Sequence, residues 1–250
     1  MRRHALLRKL HDLMQPRHYL EIGVRSGLSL SLSRTRSIAV DPFYNVTSEL
    51  HCDVHLVRST SDEFFARKHP LAHFDEPVID LAFIDGMHLA EFALRAFINV
   101  ERYCAPGSVI VVDDVLPRTV VEAGRTRAER GAWAGDVYKM IDALRTHRPH
   151  LVVLELDTSP TGTLVVLLPD PQDRGLLTQY DDLVSSFVTP DPQSVPEWAR
   201  RRTRAIDPRK LLEAPVWDDV RRLRQLPPAQ SREQLSRVFA AAGLSTPRES

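Results

Sequence analysis

Residues 78–116 constrain the fold of this chain more than any other stretch. They contain two apolar segments, one ending in Asp85-Gly86-Met87-His88 and the other in Asp113-Asp114, with an amphipathic helix pattern and a Pro-Gly turn between them. Two strands joined through a helix of this length run parallel. Their carboxyl ends therefore open at the same edge of one sheet, where open α/β sheets bind ligands. We expect the chemistry of the chain at that edge.

Composition narrows the class of partner. The 250 residues include 33 basic and 33 acidic side chains, so no net charge attracts nucleic acid or an anionic membrane. Apolar runs stay short of the roughly 18 residues of a membrane span, and the first residues lack a signal-peptide core. Cys52 and Cys104 are too few for a disulfide framework and lack metal-ligand spacing. These features predict a cytoplasmic protein without nucleic-acid or membrane partners.

The beginning of the chain predicts a helix, a strand and a glycine loop. Residues 1–16 have the leucine spacing of an amphipathic helix. Residues 17–22 predict a strand that enters the loop Glu21 to Gly27, and residues 28–33 resemble a helix. A strand that runs through a glycine loop into a helix presents backbone N–H groups to an anion or a polar ligand tail. The expected ligand is a cofactor.

Two further strands precede residue 78. The strand over 37–40 is closed by Asp41, which lies 20 residues after Glu21. That spacing suits a carboxylate that binds ribose hydroxyls across the neighbouring strand end. After a strand over 53–58, residues 59–63 have the composition of a helix N-terminus. Ser61 in this cluster is either a cofactor contact or part of the helix cap alone.

The remainder of the main domain predicts a lid, a helix and a hairpin. Residues 116–136 are polar, rich in arginine and punctuated by glycine, and they directly follow Asp114, so they are typical of a lid over a site. A helix follows at 137–147. The strands at 151–156 and 163–168 are joined by so few residues that they form an antiparallel hairpin. The predicted sheet then has seven strands within a domain over 17–170.

Residues 171–250 form a predicted appendage. Eleven of the 18 prolines lie from Pro160 onward. Short helices are expected between these breaks, at 197–204, 207–213, 216–225 and 231–242. Such a segment lacks a core of its own, and we expect it to pack on the main domain or, in a homo-oligomer, on a partner subunit.

The glycine loop differs from a dinucleotide fingerprint. A Rossmann NAD site carries G-x-G-x-x-G, whose first two glycines let the backbone approach a pyrophosphate. Here Glu21 holds the first position and the spacing is E-x-G-x-x-x-G. A carboxylate facing the loop would repel a pyrophosphate and attract an ammonium or a sulfonium. The pattern therefore favours a cationic ligand and disfavours an NAD-dependent dehydrogenase.

This pattern resembles motif I of the class I S-adenosylmethionine-dependent methyltransferases. The resemblance covers roughly residues 17–168 and includes the seven strands with the final hairpin. It implies a Rossmann-like α/β fold, with a mostly parallel sheet, an antiparallel last strand and helices on both faces. It also implies that S-adenosylmethionine is the cofactor. Carried over by position, the expected cofactor-binding residues are Glu21, Gly23, Gly27, Asp41, Ser61 and Asp85.

A second resemblance concerns Phe83 to His88, the helix after them, the Ala-Pro-Gly turn and the segment Val111 to Asp114. It is similar to the metal-dependent branch that includes macrolide sugar O-methyltransferases and cephalosporin-hydroxylase-like proteins. The resemblance implies Mg²⁺ or another divalent ion bound by Asp85, Asp113 and Asp114, with His88 as the base. The acidic pair in that branch is often Glu-Asp. The shorter Asp113 leaves open whether it binds the ion directly or through water.

The chemistry agrees with these residue types. Mg²⁺ prefers carboxylate and other hard oxygen ligands, a bound hydroxyl has a lowered pKa, and a histidine within reach can take its proton. We therefore expect a methyltransferase that acts on a hydroxyl of a small molecule such as a sugar, a polyol or a catechol-like natural product. His88 and Asp85 are the expected catalytic residues. Candidate substrate contacts in the lid are Arg118, Arg125, Arg127 and Trp133.

Other interpretations stay open. Asp85 alone could cap a helix, and Asp113-Asp114 alone could mark a turn. What favours a site is that the acidic residues at 21, 41, 85 and 113–114 all follow or end strands at one predicted edge. The alternatives are an S-adenosylmethionine-binding protein of the cephalosporin-hydroxylase-like type with a different reaction, and a non-catalytic interaction scaffold.

Overall fold

A seven-stranded sheet forms the centre of the computed structural model, which describes residues 1–127, 129 and 131–245. The strands are β1 (His18–Ile22), β2 (Arg36–Val40), β3 (Val54–Val57), β4 (Ile79–Ile84), β5 (Cys104–Asp113), β6 (Val152–Leu156) and β7 (Thr163–Leu167). Their order is β3-β2-β1-β4-β5-β7-β6. The first five strands are parallel, and β7 is antiparallel to both β5 and β6. The predicted Rossmann-like sheet is confirmed.

Helices surround this sheet. They are α1 (Arg3–Met14), α2 (Ser61–Phe65), α3 (Ala90–Glu101), α4 (Lys139–His147), α5 (Gly175–Thr178), α6 (Tyr180–Phe187), α7 (Glu197–Arg200), α8 (Pro208–Leu212), α9 (Trp217–Leu223) and α10 (Pro228–Ala241). The helix expected over 28–33 is a single 3₁₀ turn at Leu30–Leu32. Helices α5 and α6 were not predicted. Among the described residues, none of the helices has both the length and the apolar character to span a bilayer.

The register of the parallel strands sets the geometry of the carboxyl edge. Ile22 pairs with Val40 on one side and with Ile84 on the other, and Ile84 pairs with Val112. The next residue of each strand therefore stands at the same level. Those four residues are Gly23, Asp41, Asp85 and Asp113. The edge predicted from the sequence thus exists, and it brings the glycine loop beside three carboxylates.

The appendage packs on the sheet of its own chain. Leu10 of α1, Trp217 of α9 and Phe239 of α10 are buried in one apolar cluster against one face of the sheet. Arg224, just after α9, donates to the carbonyls of Met14 at 2.6 Å and Gln15 at 3.0 Å. These bonds satisfy carbonyls at the end of α1 that lack helical partners. The two ends of the chain are therefore held together on this face.

The opposite face is covered mainly by α3 and α4, whose apolar residues share a second core cluster with the sheet. Arg148, which follows α4, is buried and binds Glu101 of α3 through two hydrogen bonds of 2.5 and 2.7 Å. Such a bidentate pair fixes the geometry of both partners. It joins the ends of the two helices, and so it helps to hold α3 behind the carboxyl edge.

The segment predicted as a lid is fastened to the loop that precedes α3. Asp136 accepts a hydrogen bond of 2.8 Å from the backbone N–H of Ala90 at the start of α3. Trp133 donates from its indole to Gly124 O at 2.7 Å. Gly135 has φ +59°, and a Cβ added there would lie 1.7 Å from His88 O. A larger residue at 135 therefore cannot fit unless the lid and the His88 loop separate.

We expect Gly135→Ala to lower the free energy of unfolding by about 3 kcal/mol, because the added methyl group overlaps His88 O and the backbone is left-handed. Gly131→Ala is the matched control. Gly131 also has a positive φ, +99°, but a Cβ there would meet nothing within 4 Å. It should cost about 1 kcal/mol. Urea unfolding of both variants measures the difference, and equal losses would contradict this packing.

Candidate active site

A cavity of about 960 Å³ opens at the carboxyl edge of the sheet. It is bounded by the glycine loop, the ends of β2, β4 and β5, the lid and the start of α1. Predicted site residues that line it are Gly23, Asp41, Ser61, Asp85, His88, Asp113 and Asp114, with Arg127 and Trp133 of the lid. Glu21 and Gly27, both described, lie outside this lining. One cavity thus contacts both the predicted cofactor loop and the predicted metal site.

Gly23 and Asp41 shape the wall beside β1. Gly23 has φ +91°, and a Cβ there would lie 1.9 Å from Asp85 O, so only glycine lets the loop pass so close to the end of β4. The Asp41 carboxylate accepts hydrogen bonds from the backbone N–H groups of Val24 at 2.9 Å and Arg25 at 2.8 Å. The side chain of Asp41 is therefore fixed beside the loop, where its oxygens border the cavity.

Glu21 lies behind this wall. It is fully buried and accepts hydrogen bonds of 2.7 Å from Tyr19 Oη and Ser29 Oγ. Burial raises the pKa of Glu21 to about 8, and the two hydrogen bonds offset only part of that effect. This position differs from the expectation that the carboxylate faces the loop and attracts a cation. Instead it supports the loop from inside, largely protonated at neutral pH.

Gly27 also lies outside the lining of the cavity. It has φ +78°, and a Cβ there would lie 2.9 Å from a methyl carbon of Val46. The glycine therefore permits close packing between the loop and the segment after β2. A direct contact between Gly27 and a cofactor stays a prediction.

The two hydroxyl residues at the start of α2, Thr60 and Ser61, have different surroundings. Thr60 accepts a hydrogen bond from the backbone N–H of Glu63, and the Glu63 carboxylate accepts one from the backbone N–H of Thr60. This reciprocal capping box satisfies the start of the helix. Ser61 is not needed for that cap and borders the cavity. Its contact with a cofactor therefore remains a prediction.

Three side chains converge beyond the ends of β4 and β5. His88 Nε2 lies 3.1 Å from Asp85 Oδ1 and 3.2 Å from Asp114 Oδ2. One potential ligand atom from each of the three residues lies within 4.8 Å of the others. His88 has φ +51° and Asp114 has φ +63°. A left-handed backbone costs such residues of the order of 1 kcal/mol, so both side chains are aimed at the expense of local strain.

The ring of His88 has a defined orientation. Its Nδ1 lies 2.8 Å from the carbonyl of Trp133, which can only accept, so Nδ1 carries a proton. The ring also stacks on that of Trp133, with 4.9 Å between centroids. Burial lowers the pKa of His88, but the hydrogen bond to Asp85 and the charges of Asp114 and Asp85 outweigh it and raise the pKa to about 9. In this arrangement His88 is an imidazolium at neutral pH.

The carboxylates are buried at a cost. Burial, followed by the neighbouring charge of Asp114, raises the pKa of Asp113 well above its ordinary value. Burial raises the pKa of Asp114 to about 6, although the charge on His88 opposes this. Thr161 donates to Asp114 Oδ1, and Thr163 donates to Asp113 Oδ1 at 3.2 Å. Ionised carboxylates here therefore need cations nearby.

Arg3 supplies one such cation and was not predicted. Its Nη1 lies 2.6 Å from Asp113 Oδ2, and its Nη2 lies 3.6 Å from Asp85 Oδ2. The leucine pattern of α1 describes only the face of the helix that is buried and gives no sign that Arg3 reaches the site. Arg3 and Asp113 are 110 positions apart. No local pattern connects them, and only the path of the folded chain brings them together.

The cluster has the chemistry of a site for a hard cation. Asp113 Oδ2 and Asp114 Oδ2 are buried and accept no hydrogen bond of good geometry. The proximity of Arg3 Nη1 to the first oxygen and of His88 Nε2 to the second is therefore a contact between charges more than a directed bond. Carboxylate oxygens in this state suit Mg²⁺ or a similar ion. The residues present fit the predicted metal, with Asp85 and Asp114 nearest to His88.

The lid arginines differ in what they contact. Arg118 forms an ion pair with Glu122 within the lid. Arg125 binds Glu91 of α3 and also Asp136, the latter at 2.6 Å, so this arginine attaches the lid to α3. Arg127 and Trp133, by contrast, border the cavity. Of the four predicted substrate contacts, these two stand where a substrate could reach them.

Comparison with known proteins agrees with the fold. Residues 20–115 match a family model described as a methyltransferase domain. The match begins in β1 and ends just after Asp114, so it includes the glycine loop and the acidic cluster. It spans less than half of the chain. No curated protein matches.

Solved structures resemble about two thirds of the chain. The O-methyltransferase TomG from Streptomyces achromogenes, in complex with SAM, is 19% identical over 67% of this chain and 79% of its own, with a TM-score of 0.44. Cofactor-bound Rv0187 from MTB is 20% identical over 67% and 79%, with a TM-score of 0.48. An O-methyltransferase from Bacillus cereus in complex with SAH is 19% identical over 66% and 80%, with a TM-score of 0.43.

Proposed function

We propose that this chain is an S-adenosylmethionine-dependent O-methyltransferase that uses Mg²⁺ or a similar divalent ion. The observation that carries the proposal is that one cavity is lined both by the glycine loop with Asp41 and by the cluster of Asp85, His88 and Asp114. A methyl donor and a metal-bound acceptor need such a shared space. The match of residues 20–115 to a methyltransferase domain supports the same reaction.

The cofactor is proposed to lie along Gly23, Asp41 and Ser61. The glycine lets the loop backbone approach a ligand closely, and Asp41 is fixed by backbone N–H groups while its oxygens border the cavity. A carboxylate at the end of the second strand suits ribose hydroxyls. Glu21 and Gly27 would act indirectly, by holding the loop from behind. Asp85, at the end of β4, borders the same cavity and is proposed to contact both the cofactor and the ion.

The ion is proposed to be held by Asp85 and Asp114, with Asp113 beside them. When bound, a divalent ion supplies a lowered pKa for an acceptor hydroxyl. The deep acidic cluster favours an acceptor that can offer more than one oxygen, as sugars, polyols and catechols do. Arg127 and Trp133 border the space that such an acceptor would occupy.

His88 is proposed as the base. Its Nδ1–H is held by the carbonyl of Trp133, so Nε2 is the nitrogen that can take a proton. Its imidazolium is stabilised by Asp85 and Asp114. With a divalent ion bound to those carboxylates, this stabilisation would be weaker, and Nε2 would be able to accept the proton of an acceptor hydroxyl. The deprotonated oxygen would take the methyl group of the cofactor, whose sulfur would keep the electron pair of the broken bond.

Replacing the base tests the mechanism. We expect His88→Gln to lower kcat for methyl transfer by about 10²–10⁴-fold, the usual contribution of general acid–base catalysis. Binding of S-adenosylhomocysteine should persist, because His88 is not part of the glycine loop. Transfer is measured with labelled S-adenosylmethionine and a panel of sugars, polyols and catechols, and binding by calorimetry. His69→Gln, at an exposed position, is the matched control.

Three results would contradict the proposal. Full turnover by His88→Gln would exclude His88 as the base. Absence of S-adenosylhomocysteine binding to the natural chain would favour a non-catalytic scaffold. Binding without transfer to any hydroxyl would favour a different reaction on the same cofactor.

The pKa of His88 can be measured directly in protein without added metal. We expect NMR titration of its ring protons to give a value of about 9. Asp114→Asn should lower this pKa, because it removes one of the two carboxylates that stabilise the imidazolium. His88→Gln identifies the signal by removing it. An unchanged pKa in Asp114→Asn would contradict the charge arrangement described here.

The raised pKa also predicts how stability depends on pH. The folded pKa of about 9 lies above the ordinary value of about 6.5. The stabilisation from this proton is therefore complete below pH ~6.5 and is lost as the pH rises through ~9. Urea unfolding at several pH values should show a steeper loss across this range for the natural chain than for His88→Gln. Equal slopes would contradict the assignment.

A further inference from the structure

Arg3 stands within the proposed metal site. Its two terminal nitrogens face one oxygen each of Asp113 and Asp85, at 2.6 and 3.6 Å. Asp113 Oδ2 is one of the buried oxygens without a well-formed hydrogen bond. The guanidinium therefore contacts two of the three carboxylates of the proposed ion site. A guanidinium and a divalent ion repel each other, so binding of the ion to these carboxylates competes with their contact with Arg3.

The first residues of the chain are positioned for this contact. The backbone of Arg2 pairs with Ser159 in an isolated bridge, and the N–H of Ser159 donates to Met1 O at 2.8 Å. Residues 159–162 belong to the turn between β6 and β7, and β7 lies next to β5. The bridge therefore places Arg3 directly beyond the end of β5, where Asp113 stands.

The Arg3 side chain also has space into which it can withdraw. It borders the cavity and keeps 26% of its side-chain surface exposed, whereas Asp113 keeps 2%. A long side chain on a fixed backbone can exchange one partner for solvent at modest cost. Asp113, by contrast, reaches the cavity with only 2% of its side-chain surface. An ion that binds Asp113 Oδ2 therefore has to displace Arg3 from it.

We propose that Arg3 is a positioning residue that acts as the resident counter-cation of Asp113 and is displaced when a divalent ion binds the cluster. It holds the carboxylates together before the ion arrives, and it lowers the apparent affinity for the ion because the Arg3 pair must first be broken. This inference rests on the proposed function in one respect, namely that a divalent ion enters the cluster. It adds that α1, outside the matched methyltransferase domain, sets how tightly the ion is held.

Calorimetric titration of Mn²⁺ and Mg²⁺ into the full chain tests the competition. We expect Arg3→Gln to bind the ion about tenfold more tightly than the natural chain, equivalent to about 1.4 kcal/mol. Arg3→Lys keeps the charge and should stay close to the natural chain. Arg8→Gln, at an exposed position on the same helix, is the matched control and should change nothing. Unchanged or weaker binding by Arg3→Gln would overturn the proposal.

Thermal unfolding gives a second readout that does not depend on turnover. Without metal, Arg3→Gln should be less stable than the natural chain, because Asp113 loses its partner. With saturating metal it should gain more in Tm than the natural chain does, because the ion replaces the missing charge. A loss of stability that metal does not restore would identify a purely structural role and overturn the proposal.

The same samples separate this inference from the proposed function. If S-adenosylhomocysteine binds but neither chain binds metal, the displacement of Arg3 is overturned while the cofactor site stands. If Arg3→Gln binds metal more tightly but no cofactor binds, the role of Arg3 is supported and the methyltransferase proposal fails.

Discussion

The confinement of three carboxylates at one end of a parallel sheet is the constraint on which the rest of the site depends. Asp113 and Asp114 are almost fully buried, and Asp85 stands beside them. Like charges at this distance in a medium of low dielectric constant would drive the strand ends apart unless cations compensate them. Within the described residues, the compensation comes from a protonated His88 and from Arg3. Three acidic side chains thus face two basic ones, and a further cation bound here would favour the ionised forms of the buried Asp113 and Asp114.

Close backbone contacts hold these charges in place. Gly23 brings the loop after β1 against the end of β4, and Gly135 brings the lid against the loop that carries His88. Each contact leaves no space for a side chain. The functional groups of the site are therefore carried by segments that touch through their backbones, which limits how far any one of them can shift. This rigidity is what a reaction between two bound molecules requires.

The sequence predicts the sheet well because its signals are local. Apolar runs of strand length, separated by either a helix or a few turn residues, determine which neighbours are parallel, and the register then follows from packing. Asp41, Asp85 and Asp113 reach the predicted edge for this reason. The helix expected after Gly27 is only a 3₁₀ turn, since its alternating leucines and serines lack the spacing of a longer apolar face.

Other features depend on distances that no local pattern encodes. Hydrogen bonds from Tyr19 and Ser29 orient the Glu21 carboxyl toward the interior of the protein. Arg3 reaches the site because the backbone of the preceding residue pairs with the turn between β6 and β7. The domain boundaries, the cytoplasmic location and a homo-oligomer formed through the appendage stay predictions, although α9 and α10 pack on the sheet of their own chain.

The attachment of α1 to α9 has a consequence for the order in which the molecule is made. Arg221 and Arg224 donate to the last carbonyls of α1, so the first helix is secured by residues that leave the ribosome more than two hundred positions later. The contacts that hold α1 against the sheet, and that keep Arg3 near the acidic edge, are therefore complete only after α9 has been synthesised.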